Sequence, residues 1–272
     1  MVRQNQKIVV HTVNFFHGKG PVFYASLPCG SGQRYHLVSG LWDHLVAVKN
    51  LIWMRRPDIS KDAFPIQVGQ VLEIIQGPLG RPQLLLGKHR GPAISFCESG
   101  QNVWAALCGD EHDIGIDVAQ PNEFKGKYPF YRVFHPQELQ HAVKLLGKDL
   151  KKAAALLWSI KEAVAKALGC AFHLVDPRQM MVYPSTGEAT EGTTGGAATE
   201  NSSYDFPVGL SQKAVMRFPM AAGRVLRVRS VSHGKMWFSI ALLNWQQRSD
   251  DGQSWFVTHT PKIQPEIRIG DV

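Results

Sequence analysis

The 272-residue chain is 44% hydrophobic and 19% charged, a globular balance that excludes wholesale disorder. Its net charge of +8 favours an anionic substrate or an acidic partner. No apolar run approaches the ~18 residues of a membrane-spanning helix.

In chain order, residues 1–7 lack the apolar core of a secretion signal, so a cytoplasmic protein is expected. Residues 7–15 read as a strand and 40–53 as a helix, with apolar positions at every third or fourth residue. A strand over 70–76 is stopped by Gly77-Pro78 and by Gly80-Arg81-Pro82. Three short strands follow at 93–97, 103–108 and 113–118. Beyond Pro121 the pattern turns helical. His135 before Pro136 opens one helix over 136–146, and a second runs from Lys148 to Leu168, with Gly169 as its stop. A strand over 180–183 precedes residues 185–203, which carry no anchor for a core and read as a flexible surface insertion. Strands are expected again at 214–218, 224–231 and 236–243, and the last 25 or so residues as an irregular tail. The fold class is therefore α+β, in halves of 1–121 and 122–245, with a tail of 246–272. The four cysteines, Cys29, Cys97, Cys108 and Cys170, have no metal-binding spacing and read as reduced, mostly buried thiols.

One group of residues carries chemistry. Trp158, Glu162 and Lys166 recur every four residues and share one helix face, away from the apolar stripe through Ile160 and Val164. Alone, Glu162 and Lys166 also fit an ordinary solvated ion pair. Asp117 lies in the apolar strand Gly115-Ile116-Asp117-Val118, where a carboxylate is disfavoured unless a cation, donors or a following turn engages it.

Gly115-Ile116-Asp117, followed some forty residues later by Trp158-Ser159-Ile160-Lys161-Glu162-Ala163 and Lys166, resembles the signature of the 4′-phosphopantetheinyl transferases, specifically the large monomeric Sfp type. The resemblance implies two similar α+β subdomains related by a pseudo-twofold axis, with the site at their interface. It implies a monomer that moves the 4′-phosphopantetheine arm of coenzyme A to a serine of an apo acyl or peptidyl carrier protein, with Mg²⁺ as cofactor. Asp117 and Glu162 would hold the metal. Glu162 would take the serine proton, and Lys166 would neutralise charge on the transferring phosphoryl group. Lys161 would contact phosphate or hold Glu162. Arg81, in Gly80-Arg81-Pro82, would lie against the nucleotide, and Ser95 would grip the 3′-phosphate. Read without the family, Arg81 is a turn residue and Ser95 a strand hydroxyl bonded to backbone.

Two positions depart from the family pattern. Ala119 stands where many members carry a second acid, and Phe96 where they carry histidine. The 3′-phosphate then needs another partner, for which Lys88, His89 and Arg90 are nearest. These departures leave open a non-catalytic member that binds coenzyme A or carrier protein without turnover. Residues 122–184 hold ten basic against five acidic side chains, a basic face suited to an acidic carrier protein. Nucleic acid would favour the same charge, but no recognisable binding module accompanies it and none is expected to bind.

Overall fold

A computed structural model describes residues 8–15, 21–55, 72–87, 89–108, 113–126, 128–186 and 202–243. Their strands form three antiparallel sheets. The first has the order β1 (His11–Val13), β2 (Val22–Pro28), β7 (Asn102–Cys108), β6 (Ile94–Ser99). The second has the order β8 (Asp113–Ala119), β12 (Met236–Leu243), β11 (Leu226–His233), β10 (Ser203–Leu210), β9 (Met180–Val182). A small third sheet joins β3 (Leu72–Gln76), β4 (Pro82–Leu86) and β5 (His89–Arg90).

Strand alternation explains the layering, because successive side chains leave a strand on opposite faces. On β7, Val103, Ala105 and Leu107 meet helix α1 (Gln33–Arg55), which contributes Leu37, Val38, Leu41, Trp42 and Leu45. Trp104, Ala106 and Cys108 point the other way. They meet Ile114, Ile116 and Val118 of β8 and Phe238, Ile240 and Leu242 of β12, so the two larger sheets share an apolar layer. The far face of the second sheet is covered by α4 (Leu150–Ala167), through Leu156, Leu157, Ile160, Ala163, Val164 and Ala167. Shorter helices α2 (Phe130–Val133), α3 (Pro136–Leu145) and α5 (Gln212–Arg217) flank that layer. Asp149 caps α4, its carboxylate accepting from the Lys151 and Lys152 amides at 3.0 Å.

Several expectations require correction. Residues 212–217 are helical rather than extended: Ser211 caps them by accepting the Ala214 amide, and the local run favours helix. Strands β2, β4, β5 and β10 were not foreseen. The insertion expected over 185–203 is narrower, since Ser203 opens β10 and Ser202 is buried, its carbonyl accepting the Ser232 amide. The Thr186 amide likewise donates to the Asp205 carbonyl. Residues 187–201 and the expected tail lie outside the described residues. Strand β8 pairs along its length with β12, from Asp113 opposite Leu243 to Ala119 opposite Trp237, so residues on both sides of 121 share one sheet.

Among the described residues no cysteine forms a disulfide; Cys97, Cys108 and Cys170 are buried and Cys29 is exposed. Among the described residues no helix is long and apolar enough to cross a membrane.

Candidate functional site

The site begins with a close approach of backbone to backbone. A Cβ on Gly115 would lie 2.0 Å from the Ala163 carbonyl oxygen and 2.4 Å from the Ala167 amide nitrogen. Only glycine lets β8 and α4 meet here. Two residues on, Asp117 faces the same helix, directly opposite Ser239 of β12. A chain of buried hydroxyls fixes that side of α4. Ser159 donates to the Leu156 carbonyl at 2.9 Å and lies 2.7 Å from the Ser239 hydroxyl, itself 2.8 Å from that of Ser230. Gly115→Ala is expected to cost on the order of 1–3 kcal/mol and to separate Asp117 from α4. Urea unfolding of the purified variant measures this; a change within a few tenths of a kcal/mol would show that the spacing is set elsewhere.

Asp117, Glu162 and Lys166 come together. The Lys166 ammonium stands 2.9 Å from Asp117 Oδ1 and 3.2 Å from Glu162 Oε1. The Asp117 side chain is 7% exposed, those of Lys166 and Glu162 20% and 25%, so the cluster opens to solvent on its helix side. Burial pushes the Asp117 carboxyl up to about 7, with Lys166 opposing the rise and Glu162 adding to it. Burial alone would lower Lys166, but Asp117 and Glu162 outweigh it and hold the ammonium above its ordinary value. Glu123, which closes the 3₁₀ turn Pro121–Glu123, adds negative charge near both carboxylates.

The raised carboxyl has a consequence for stability. Asp117 binds its proton more tightly folded than unfolded, so its contribution is full below its ordinary 3.8 and is lost as pH rises toward about 7. Asp117→Asn, which cannot ionise, should flatten the fall in stability across that window. Denaturant midpoints of metal-free protein at several pH values test this, and parallel curves for the two proteins would refute it.

The other expected site residues fall into separate places. Arg81 pairs with Asp113 at the start of β8, one guanidinium nitrogen 3.2 Å from Oδ2. Arg90 approaches the same carboxylate at 3.6 Å. Arg81 also lies against Gly169, where an added Cβ would stand 3.0 Å from Nη1. Arg81 and Arg90 line one shallow recess with Gln83 and Pro92. Asp113 and Asp117 are four residues apart on one strand face, about 13 Å, so this basic pair sits one strand-length from the acidic pair. Lys88 lies outside the described residues, as does the side chain of His89.

Ser95 is a strand hydroxyl bonded to backbone. It is buried, and its hydroxyl accepts the Ile116 amide at 3.1 Å, satisfying an N–H on the free edge of β8. Phe96 packs toward α1, with the Arg34 guanidinium 5.5 Å from its ring centre.

The expectation for Lys161 is corrected outright. Its ammonium is fully buried, 2.5 Å from Glu138 Oε1, and donates to the carbonyls of Val133, Pro177 and Met180 at 3.1, 2.9 and 3.0 Å. Adjacent helix residues lie on different faces, so Lys161 points into the core while Glu162 points out. Trp158 packs, its ring 5.2 Å from Phe172 and 6.4 Å from Phe124. Sequence reading missed Glu123, Glu138 and the serine chain. His135 before Pro136 marked a helix start, and nothing in the sequence pointed from Glu138 to Lys161.

The donor set suits a small hard cation. Two carboxylates from different elements already share one positive charge, and Mg²⁺ commonly uses one or two carboxylates with substrate phosphate and water. Among the described residues no three His, Cys, Asp or Glu side chains converge as a metal site.

Residues 113–209 match the family model of the 4′-phosphopantetheinyl transferase superfamily. Over 105 residues the chain is 33% identical to a protein of Synechocystis sp. that bears the name "Putative 4'-phosphopantetheinyl transferase". That stretch covers 37% of this chain and 41% of the relative, so the chain spans less than half of the relative's length. The matched segment contains Asp117, Glu162 and Lys166.

Proposed function

We propose that this chain transfers the 4′-phosphopantetheine arm of coenzyme A to a serine of an apo acyl or peptidyl carrier protein, with Mg²⁺ as cofactor and 3′,5′-ADP as the leaving group. The observation that carries the reading is the convergence of Asp117 and Glu162 on one cation position, with Lys166 between them, inside the segment that matches the superfamily. On this reading the chain is of the large Sfp type, with two similar subdomains and the site between them. An apolar layer shared by two sheets, each covered by a helix on its outer face, supports the pairing of two subdomains.

Bound at Asp117 and Glu162, Mg²⁺ supplies charge neutralisation to the diphosphate. Glu162 is the more exposed carboxylate and accepts the proton of the carrier serine as its oxygen bonds to the β-phosphorus. The bond from that phosphorus to the bridging oxygen breaks, and its electron pair leaves with 3′,5′-ADP. The Lys166 ammonium offsets negative charge on the transferring group. Arg81 and Arg90, held by Asp113 one strand-length away, offer donors to the nucleotide end. Neutralising Arg90 should raise the KM for coenzyme A severalfold while changing kcat little, because a distant phosphate contact acts on binding in both states. An unchanged KM would remove Arg90 from the nucleotide site.

The deciding experiment incubates the full chain with coenzyme A, Mg²⁺ and an apo carrier protein and reads the carrier by mass spectrometry. A gain of one phosphopantetheine arm is the expected result. No gain across acyl and peptidyl carriers, with coenzyme A still bound, would leave the non-catalytic binding reading in its place.

A further inference from the structure

We infer that Lys166 occupies the divalent-cation position in the free protein and leaves it when the cation binds, so that cation loading releases an ammonium for a phosphate. This rests on the proposed function and adds a coupling to it.

The geometry is specific. The ammonium lies 2.9 Å from one carboxylate and 3.2 Å from the other, and those carboxylates belong to different elements. A magnesium-sized ion sits about 2.0–2.1 Å from its oxygens, so an ion bound to Asp117 and Glu162 fills the volume that the ammonium holds. Two cations cannot share that space in a half-buried site. Of the three side chains, Asp117 is fixed on β8 beneath α4, whereas Lys166 hangs on a flexible four-carbon stem at the solvent side. Lys166 is therefore the member that moves.

Cation and diphosphate binding then become mutually supportive. A cation arriving alone must displace an ammonium from two carboxylates and leave it without a partner. When a diphosphate is present, the displaced ammonium finds a new anion, and the same displacement becomes favourable. The coupling is reciprocal, so the cation also strengthens diphosphate binding.

Mn²⁺ is the probe, its binding to the full chain followed by electron paramagnetic resonance, with no carrier protein present and so no turnover. Lys166→Met should bind Mn²⁺ on the order of tenfold more tightly than wild type without coenzyme A. Coenzyme A should raise the Mn²⁺ affinity of wild type by a similar factor and that of Lys166→Met much less. Equal or weaker Mn²⁺ binding by Lys166→Met, with wild type loading normally in the presence of coenzyme A, overturns the inference alone. If wild type takes up no Mn²⁺ with or without coenzyme A, the divalent-cation reading itself fails and this inference with it. Should the uncompensated carboxylates weaken Lys166→Met, melting supplies the second readout. Mn²⁺ should raise its Tm more than that of wild type, and Asp117→Asn/Lys166→Met should lose that response. No greater rise in the single variant counts against the inference.

Discussion

Lys161→Ala and Glu138→Ala should each remove about 3–5 kcal/mol of stability, the cost of leaving one charge buried without its partner. The expectation follows from how completely the pair is enclosed. Both side chains are inaccessible to solvent. Besides Lys161, Glu138 accepts the His135 amide at 2.8 Å and the Val182 amide at 2.9 Å, while Lys161 serves three carbonyls. Burial lowers the Lys161 pKa, with Glu138 opposing, so the ammonium depends on that partner to remain charged. Removing Glu138 also orphans two amides, and removing Lys161 takes a donor from three carbonyls, of which that of Pro177 still accepts the Met180 amide. The double replacement Glu138→Leu/Lys161→Met should be less damaging than the two single losses combined, because no unpaired charge remains. Denaturant unfolding of all three proteins at constant m value decides the matter. Single variants within about 1 kcal/mol of wild type would mean that water reaches the pair.

This pair also bears on the site. It joins α4, through Lys161, to α3, to β9 and to the 3₁₀ turn Pro177–Gln179, one residue before Glu162. The rotation of α4 about its axis decides whether Glu162 faces Asp117. Lys161 thus acts through the helix it anchors, which explains a lysine beside Glu162 without placing it on a phosphate.

The site was legible in the sequence wherever a periodic rule applied. Glu162 and Lys166 at four-residue spacing had to share a face, and a carboxylate inside the apolar run 113–118 had to meet a cation, donors or a following turn. The structure supplies that cation as Lys166. Reading failed where a residue's partner is distant in sequence. Lys161 meets Glu138, 23 positions away, and Ser95 meets Ile116 across two sheet edges. It also failed where local composition misled. Strand β10 alternates Tyr204, Phe206 and Val208 toward the core, but it begins at the edge of a polar, glycine-rich stretch and contains Pro207. Val215, Met216 and Phe218 looked like a strand, although Ser211 caps the short helix α5 that contains Val215 and Met216 and ends at Phe218. Gly115 was visible as part of a motif, whereas its purpose, a contact with the backbone of α4, exists only in three dimensions.

Asp117→Ala and Glu162→Gln should each lower transfer to a carrier serine by about 10²-fold or more while leaving the fold intact. The two losses have different origins. Asp117 is buried against Lys166, so its removal takes away a fixed anchor of the cation position and leaves the lysine with Glu162 alone. Glu162 is more exposed, and in the proposed mechanism its role is double, so glutamine would remove both a charge for the cation and the acceptor of the serine proton. Metal dependence separates the two. Raising Mg²⁺ should restore part of the activity of a variant whose defect is cation binding alone, and Asp117→Ala should respond more than Glu162→Gln. Initial rates over a Mg²⁺ series, read as carrier mass gain, give the comparison, with circular dichroism confirming the fold. Near-wild-type turnover by either variant would remove the Asp117–Glu162 pair from the chemistry. Equal rescue of both by Mg²⁺ would remove Glu162 as the proton acceptor and leave it as a ligand only.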